Sequence, residues 1–589
     1  SRLSRLREVM KENGLNAYII PSNDAHQSEY VADHWKSREW ISGFTGSAGI
    51  IIATLEKSGL WTDSRYFLQA EKQLAGSEIK LYKPKNRFGA EYIHWLAQEL
   101  SSGDVVGIDG SICSLHNFER FEKELKSKGI KLDTSHDLIQ YIWEDRPSLP
   151  KDKIFEHDIR FAGKSRSEKI DEIRKEMEQQ EVDHHLITTL DDIAWIFNIR
   201  GSDIEFNPVA IAYTLISKNE VTLYIDQEKV DDDLYQILQH DWIKLKSYTA
   251  ILEKLNSLPE SDRLLLDPNT CSISHFKAIN CETIRGKTIS QLMKALKSEV
   301  EINHTKGAMA KDGAALANTF YWLEQTLKSG ATITEAEFAD KLAANRSQMT
   351  DYVGESFPAI IGYKGNGAII HYRPMHEDCA EIKAEGLLLA DSGGQYLDGT
   401  TDITRTISLG TPTKEEKRNF TLVLQGNIAL SRAKFPKGTT GAQLDILARK
   451  PLWDHGLNYG HGTGHGVGFF LNVHEGPQGF SGMISAERGK TAHQVGMLTS
   501  NEPGYYKEGA YGIRVENLLV AVPSDKEDFI EFETLSLYPM DIKLIDETIF
   551  TKSEKAWLNK YHYEVLQKVG PLLEGDVKSW FELKCRPMN

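Results

Sequence analysis

Residues 459–476, YGHGTGHGVGFFLNVHEG, hold three histidines and six glycines. His461 and His465 stand four apart, the spacing that sets two metal ligands on one face of a helix. Yet Gly460, Gly462, Gly464, Gly466 and Gly468 are interleaved with them, and each interior glycine costs a helix about 1 kcal/mol relative to alanine. A helix here is badly penalised. The histidines therefore sit on pliable backbone, and their purpose has to be sought in the rest of the chain.

Carboxylates supply the first clue. LLLADSGGQYLDGTTDITRTI (387–407) reads as an apolar strand, a glycine-rich turn and a second strand. Asp391 ends the first strand and Asp402 opens the second, so a hairpin would bring both carboxylates to one place. Either aspartate alone reads as a turn or capping residue. Glu502 follows the apolar stretch in GMLTSNEPGYY, and Glu516 falls inside an apolar strand-like run, YGIRVENLLVAV, where an unpaired carboxylate is costly. The candidates are Asp391, Asp402, His465, Glu502 and Glu516. Four carboxylates and a neutral imidazole carry −4, which one divalent cation halves and two neutralise. Two-metal sites hold their ions about 3.5–4 Å apart through shared carboxylates and make a bound water nucleophilic near neutral pH. An oxygen-rich set without thiolate favours Mn²⁺ or Mg²⁺, and the chemistry it suits is hydrolysis.

The 589 residues leave room for several domains. AYIIPS (17–22), GIIIATL (49–55) and SGLWTDSRY (58–66) read as short strands among helical pattern, an α/β segment closed by a linker, EDRPSLPKD (144–152). HHLITTLDDIAWIFNIRGSD and AIAYTLISKNEVTLYIDQEKV then repeat that strand, polar loop and strand-pair order, predicting two similar domains in tandem. A third unit begins near residue 296, where Leu316, Phe320, Leu323 and Leu327 mark an amphipathic helix stopping at Gly330. TEAE (334–337) is a capping box opening the next helix, and the last fifty or so residues are again helical. The expected domains are 1–145, 146–295 and 296–589, with a helical tail over about 541–589.

A net charge of −16 argues against nucleic acid as a partner. No apolar run approaches the ~18–20 residues that span a bilayer, so no membrane partner is expected. Five scattered cysteines without a CxxC pair suit a reducing compartment, and the sequons at Asn303, Asn345 and Asn419 read as chance; the expected location is the cytoplasm.

The blocks NGAIIHY, DSGGQYLDGTTDITRT, HGTGHGVGFFLNVHEGP and EPGYY…GIRVEN, with YIIPSNDAHQSEY, SGFTGSAG and WTDSRYFLQA earlier, resemble the aminopeptidase P (X-prolyl aminopeptidase) branch of the pita-bread metallopeptidases. The resemblance implies two tandem creatinase-like α/β domains followed by a pita-bread catalytic domain, an α+β whole. It also implies a homodimer with two divalent ions, Mn²⁺ by preference. Asp391 would hold one ion, His465 and Glu502 the other, with Asp402 and Glu516 bridging. His371, His461 and His474 match non-ligand histidines that bind substrate and move protons, as an imidazole of ordinary pKa near 6.5 can. Glu502 would also serve as general base toward a bridging water, and Arg514 would orient a ligand carboxylate. The implied reaction is hydrolysis of the bond between an N-terminal residue and a penultimate proline.

A prolidase, which takes only dipeptides, is the nearest rival, but prolidases generally carry one N-terminal unit. Non-catalytic members of the fold typically lose metal ligands, and here all five stand. His184 and His185 have no carboxylate block beside them, and His376 and His455 read as surface residues. There is no HExxH, and GTGHGVG misses GxGxxG. Two departures from the family, Gly362-Tyr363-Lys364-Gly365 and Asn501, are expected to affect how the substrate's N-terminal residue is seated. An apolar face on FYWLEQTL (320–327) or on the tail is expected at the dimer interface.

Overall fold

The structure, a computed structural model, describes residues 1–84, 91–482 and 486–589. The chain divides into two compact units, residues 1–157 with 164–290, and residues 158–163 with 291–589.

In the first unit, β-branched and aromatic runs bounded by turns build two sheets of like design. Strands β1 (Ala17–Pro21), β2 (Ile50–Thr54), β3 (Ser58–Trp61), β4 (Lys80–Tyr82), β5 (Val105–Ile108) and β6 (Lys131–Asp133) lie in the order β4-β3-β2-β1-β5-β6. Strands β7 (His184–Ile187), β8 (Ala212–Ser217), β9 (Val221–Ile225), β10 (Ile243–Lys246), β11 (Arg263–Leu266) and β12 (Glu282–Arg285) repeat it as β10-β9-β8-β7-β11-β12. In each sheet the leading strand pairs antiparallel with one neighbour and parallel with the other.

The internal repeat seen in the sequence is thus a repeat of topology. Its two halves meet at Ser114 and Ser272, each the N-cap of a helix, where Leu115 N donates to Cys271 O and Ile273 N to Cys113 O, both at 2.8 Å. Ile108, Leu115 and Phe121 share an apolar core with Leu215, Leu264 and Ile273. The strand expected over 58–66 stops at Trp61, because Asp63 takes the chain into a turn, its carboxylate accepting from Arg65 N.

In the second unit α1 (Glu299–Lys328) opens on a Ser298–Glu301 capping box and ends before Gly330, whose φ of +78° only glycine adopts without strain. Thr334 and Glu337 box the start of α2 (Glu335–Ser347), as predicted. Strands β13 (Ile360–Tyr363), β14 (Leu387–Ser392) and β15 (Ile403–Ser408) form one sheet, and the helices α3 (Lys414–Ser431) and α4 (Gly441–Trp453) follow. Strands β16 (Lys434–Pro436), β17 (Gly464–Gly466), β18 (Glu475–Phe480) and β19 (Leu498–Asn501) belong to a second sheet. The hairpin β20 (Gly504–Lys507) and β21 (Tyr511–Arg514) stands apart from it, and β22 (Asn517–Pro523) and β23 (Phe529–Thr534) complete the order β16-β23-β22-β19-β17-β18.

Two expectations change here. Glu516 is not inside a strand: it lies between β21 and β22, where the chain leaves the hairpin and enters the larger sheet. The tail helices α5 (Lys552–Val569) and α6 (Gly575–Lys584) bury Leu558, Val565 and Phe581 in the same core as Phe320 and Leu323. Trp580 packs edge-on to Tyr321 and donates to Glu324 Oε2 at 2.9 Å, so the apolar face of FYWLEQTL is largely covered by the chain's own tail.

Candidate metal centre

The β14–β15 hairpin sets Asp391 opposite Thr404, with Asp402 at the mouth of β15, as the sequence predicted. His465 sits at the middle of β17, with no helix anywhere in the glycine-rich stretch. Glu502 is the first residue after β19, which pairs with β22, and the break before β22 brings in Glu516. Ligand atoms of Asp402, His465 and Glu516 gather within 4.8 Å of one another. His465 Nε2 lies 3.3 Å from Glu502 Oε1 and 3.4 Å from Asp402 Oδ2. Its Nδ1 is 2.9 Å from Gly466 O, a pure acceptor, so Nδ1 carries the proton and Nε2 faces the carboxylates.

The electrostatics are those of crowded anions. Burial pushes Asp391 up to about 7, against Arg514 and with Asp402 and Glu502 adding to the rise. Burial, then Asp402, Glu502 and Asp391, push Glu516 well above the usual carboxylate range. Burial opposes charge on both His465 and Glu502, but Asp402 and Glu502 outweigh it at the imidazole, holding it up at about 10, and His465 outweighs it at Glu502, holding that carboxyl down at about 2. Asp391 Oδ1 and Glu516 Oε1 are buried and accept from no donor among the described residues. An orphaned buried carboxylate oxygen is costly, and a cation removes that cost, so these residues fit a divalent metal pair.

Supporting side chains hold the remaining oxygens. Thr404 Oγ1 donates to Glu516 Oε2 at 2.6 Å, and Ser500 Oγ donates to Glu502 Oε1 at 2.9 Å while accepting from His465 N. Arg514 Nη2 donates to Asp391 Oδ2 at 2.7 Å and Nη1 to the Tyr506 hydroxyl at 2.8 Å. His461 Nδ1 donates to Gly462 O at 2.7 Å, leaving Nε2 to accept from Tyr506 at 2.7 Å. His461 is thereby tied through Tyr506 and Arg514 to Asp391, and burial lowers its pKa to about 4. His474 packs edge-on to His465, ring centroids 4.3 Å apart. His371 is half-buried just past the turn Lys364–Ala368, which lies against β21: a Cβ at Gly512 would stand 1.7 Å from Gly367 O.

Thr404, Ser500 and Tyr506 escaped the sequence reading, although each stands within two residues or four of a ligand, in DITRT, SNE and EPGYY. Asn501 points away from the carboxylates, donating to Asn427 O and Ser431 Oγ on α3, so it does not line the cluster. His184 pairs with Asp262, His185 bonds Leu265 O and Ile289 N, and His376 and His455 are exposed.

Carboxylates of this number around one imidazole, with oxygens left over for cations, define the ligand set of a two-metal hydrolase. The chain belongs to metallopeptidase family M24, whose model matches residues 303–523, followed by the C-terminal region of peptidase M24 over 528–588. Creatinase/prolidase N-terminal domain models match 2–141 and 145–301. Two creatinase-like α/β domains thus precede a pita-bread catalytic domain, as the sequence predicted.

A probable Xaa-Pro aminopeptidase P of Laccaria bicolor is 43% identical, aligned over 100% of this chain and 93% of its own. Aminopeptidase P2 of Arabidopsis thaliana is 40% identical over 100% of this chain and 88% of its own. The crystal structure of the X-prolyl aminopeptidase of Caenorhabditis elegans, described as a cytosolic enzyme with a di-nuclear active site, superimposes with a TM-score of 0.93 at 34% identity, covering 100% of this chain and 99% of that one. The prolidase of Thermococcus sibiricus shares the fold over 64% of this chain, with a TM-score of 0.51 at 22% identity.

Proposed function

We propose that this chain is an X-prolyl aminopeptidase, a metallo-aminopeptidase that hydrolyses the bond between an N-terminal residue and a penultimate proline. The observation that carries the metal chemistry is the pair of buried oxygens, Asp391 Oδ1 and Glu516 Oε1, that no donor among the described residues reaches. The substrate class rests on the full-length relatives named for it. Asp391 would hold one ion and His465 with Glu502 the other, with Asp402 and Glu516 shared between them; the 3.3 and 3.4 Å approaches of Glu502 and Asp402 to His465 support that division. Mn²⁺ suits a set with one imidazole among oxygens, and the pair, when bound, supplies a water acidic enough to attack near neutral pH.

The chain's own groups do the rest. Glu502 takes the proton from the attacking water. Arg514 fixes Asp391, and Thr404 and Ser500 fix Glu516 and Glu502. His371, His461 and His474 bind the peptide, and His371 and His474 deliver the proton that a departing proline nitrogen requires; His461, whose Nε2 accepts, exchanges its Tyr506 bond for a donor of the substrate. Residues 1–145 and 146–295 form the creatinase-like pair and 296–589 the catalytic domain, working as a cytoplasmic homodimer. Light scattering that finds only single-chain mass removes the dimer.

The test is cleavage by the purified, Mn²⁺-loaded chain of Arg-Pro-Pro, Gly-Pro and Arg-Ala-Pro. Release of arginine from Arg-Pro-Pro alone is the expected result. Cleavage of Gly-Pro alone moves the assignment to prolidase, and no turnover with metal bound overturns the peptidase reading.

A further inference from the structure

A Cβ at Gly460 would meet nothing within 4 Å, whereas one at Gly462 would stand 3.3 Å from Phe480 O, so the backbone just before His461 is not fixed by close packing at Gly460. The position of this loop bears on the site, because Glu502 N donates to Thr463 O at 2.8 Å and His461 bonds Tyr506.

We propose that Asp445 and Arg449, one turn apart on α4, are positioning residues that clamp the 459–463 loop and through it set His461 and Glu502 for catalysis. Arg449 Nη1 donates to Tyr459 O at 2.9 Å and Nη2 to His461 O at 2.7 Å, gripping two carbonyls with one planar fork. Its Nε donates to Asp445 Oδ2 at 2.7 Å, and its guanidinium lies 4.1 Å from the centre of the Tyr459 ring. The other oxygen of Asp445 accepts from the Thr463 hydroxyl, which also meets Tyr459 OH at 2.5 Å.

Both residues of the pair are nine-tenths or more buried, Asp445 at 1% exposure and Arg449 at 9%. Among the described residues neither bonds a carboxylate of the cluster; their partners are the loop's backbone, Thr463, the Tyr459 ring, the Asn458 side chain just before the loop, and each other. Thr463 closes the connection, since its carbonyl receives Glu502 N while its own N donates to Phe480 O at 2.8 Å. A lysine at 449 keeps the charge and loses the fork.

The inference rests on the peptidase reading, so each assay includes the wild-type chain. Arg449→Lys is expected to lower kcat on Arg-Pro-Pro by about 10- to 100-fold, the scale of a misplaced catalytic group, with KM within threefold and bound Mn²⁺ unchanged. Arg449→Ala is expected to recover kcat on addition of millimolar methylguanidine, which a general loss of fold would not allow. Wild-type kcat in Arg449→Lys, or no rescue of a folded, metal-loaded Arg449→Ala, overturns the clamp; should Arg449→Ala not fold, Arg449→Lys decides. If the wild-type chain itself cleaves nothing, the peptidase reading has failed and amide exchange decides the clamp. Faster exchange in the 459–464 segment of Arg449→Lys sustains it, and unchanged exchange overturns it.

Discussion

Replacing Gly464 by alanine places a methyl where the structure has no room. Its Cβ would stand 1.8 Å from Ser500 O and 2.7 Å from Ser500 C, with Phe480 Cδ2 at 3.0 Å. Real Cβ contacts essentially never fall below 3.0 Å, so the strands must part by about 1.2 Å, and the obstacle is backbone that no side-chain rotation relieves. The two strands concerned carry the site: His465 follows Gly464 on β17, while Ser500 lies on β19, bonds His465 N and leads directly to Glu502. Metal–ligand distances tolerate only about ±0.2 Å. Gly464→Ala should therefore cost at least about 10- to 100-fold in metal affinity and about 100-fold in kcat/KM, with about 1–3 kcal/mol of stability from overpacking.

Gly460→Ala is the control, four residues earlier in the loop that leads into β17. Nothing lies within 4 Å of its Cβ and its φ is outside the left-handed range, so its stability should stay within about 0.5 kcal/mol of wild type and its activity within twofold. Bound Mn²⁺ after dialysis, turnover of Arg-Pro-Pro and a thermal melt read all three effects. If Gly464→Ala keeps metal and activity within threefold of wild type, the reasoning from close approach is wrong.

Arg514→Met removes the 2.7 Å bond to Asp391 and should push that carboxyl above about 7, weakening metal binding by about 10- to 100-fold in a calorimetric titration; an unchanged Kd would refute the role. Divalent cation at a hundred times its Kd should raise stability by about 2.7 kcal/mol over chelated protein, seen as a higher Tm, and equal melts would count against a native metal site. Burial holds His185 at about 4 against about 6.5 unfolded, so below 6.5 the unfolded chain binds the extra proton. The neutral ring's contribution, about 3 kcal/mol, is present above pH 6.5 and lost as pH falls toward 4. His185→Gln should flatten the pH dependence of the urea midpoint in that window, and parallel slopes in the two proteins would refute the assignment.

Local chemistry was legible where local rules apply. Thr334 and Glu337 announce a helix start by their spacing, and alternating apolar strands with Pro147 and Pro150 between them announce tandem α/β segments. Glycines at 460, 462, 464, 466 and 468 ruled out a helix, and β17 with its flanking loop is the outcome. Glu516 falls outside the strand in which the sequence placed it, because a hydrophobic pattern continues unbroken while the chain passes from one sheet to another at Val515–Glu516.

What periodicity determined about this protein, then, was which segments become strands and helices, and which carboxylates and histidines stand at their ends. The tertiary structure alone decided their partners. Arg514 reaches Asp391 across 123 residues and Thr404 reaches Glu516 across 112. It also decided that Asn501 turns into α3 and that the tail covers the 320–327 face. Spacing along the chain constrains neighbours within a turn or a hairpin, whereas a bond across a hundred residues exists only once separate elements have packed and buried both of its ends.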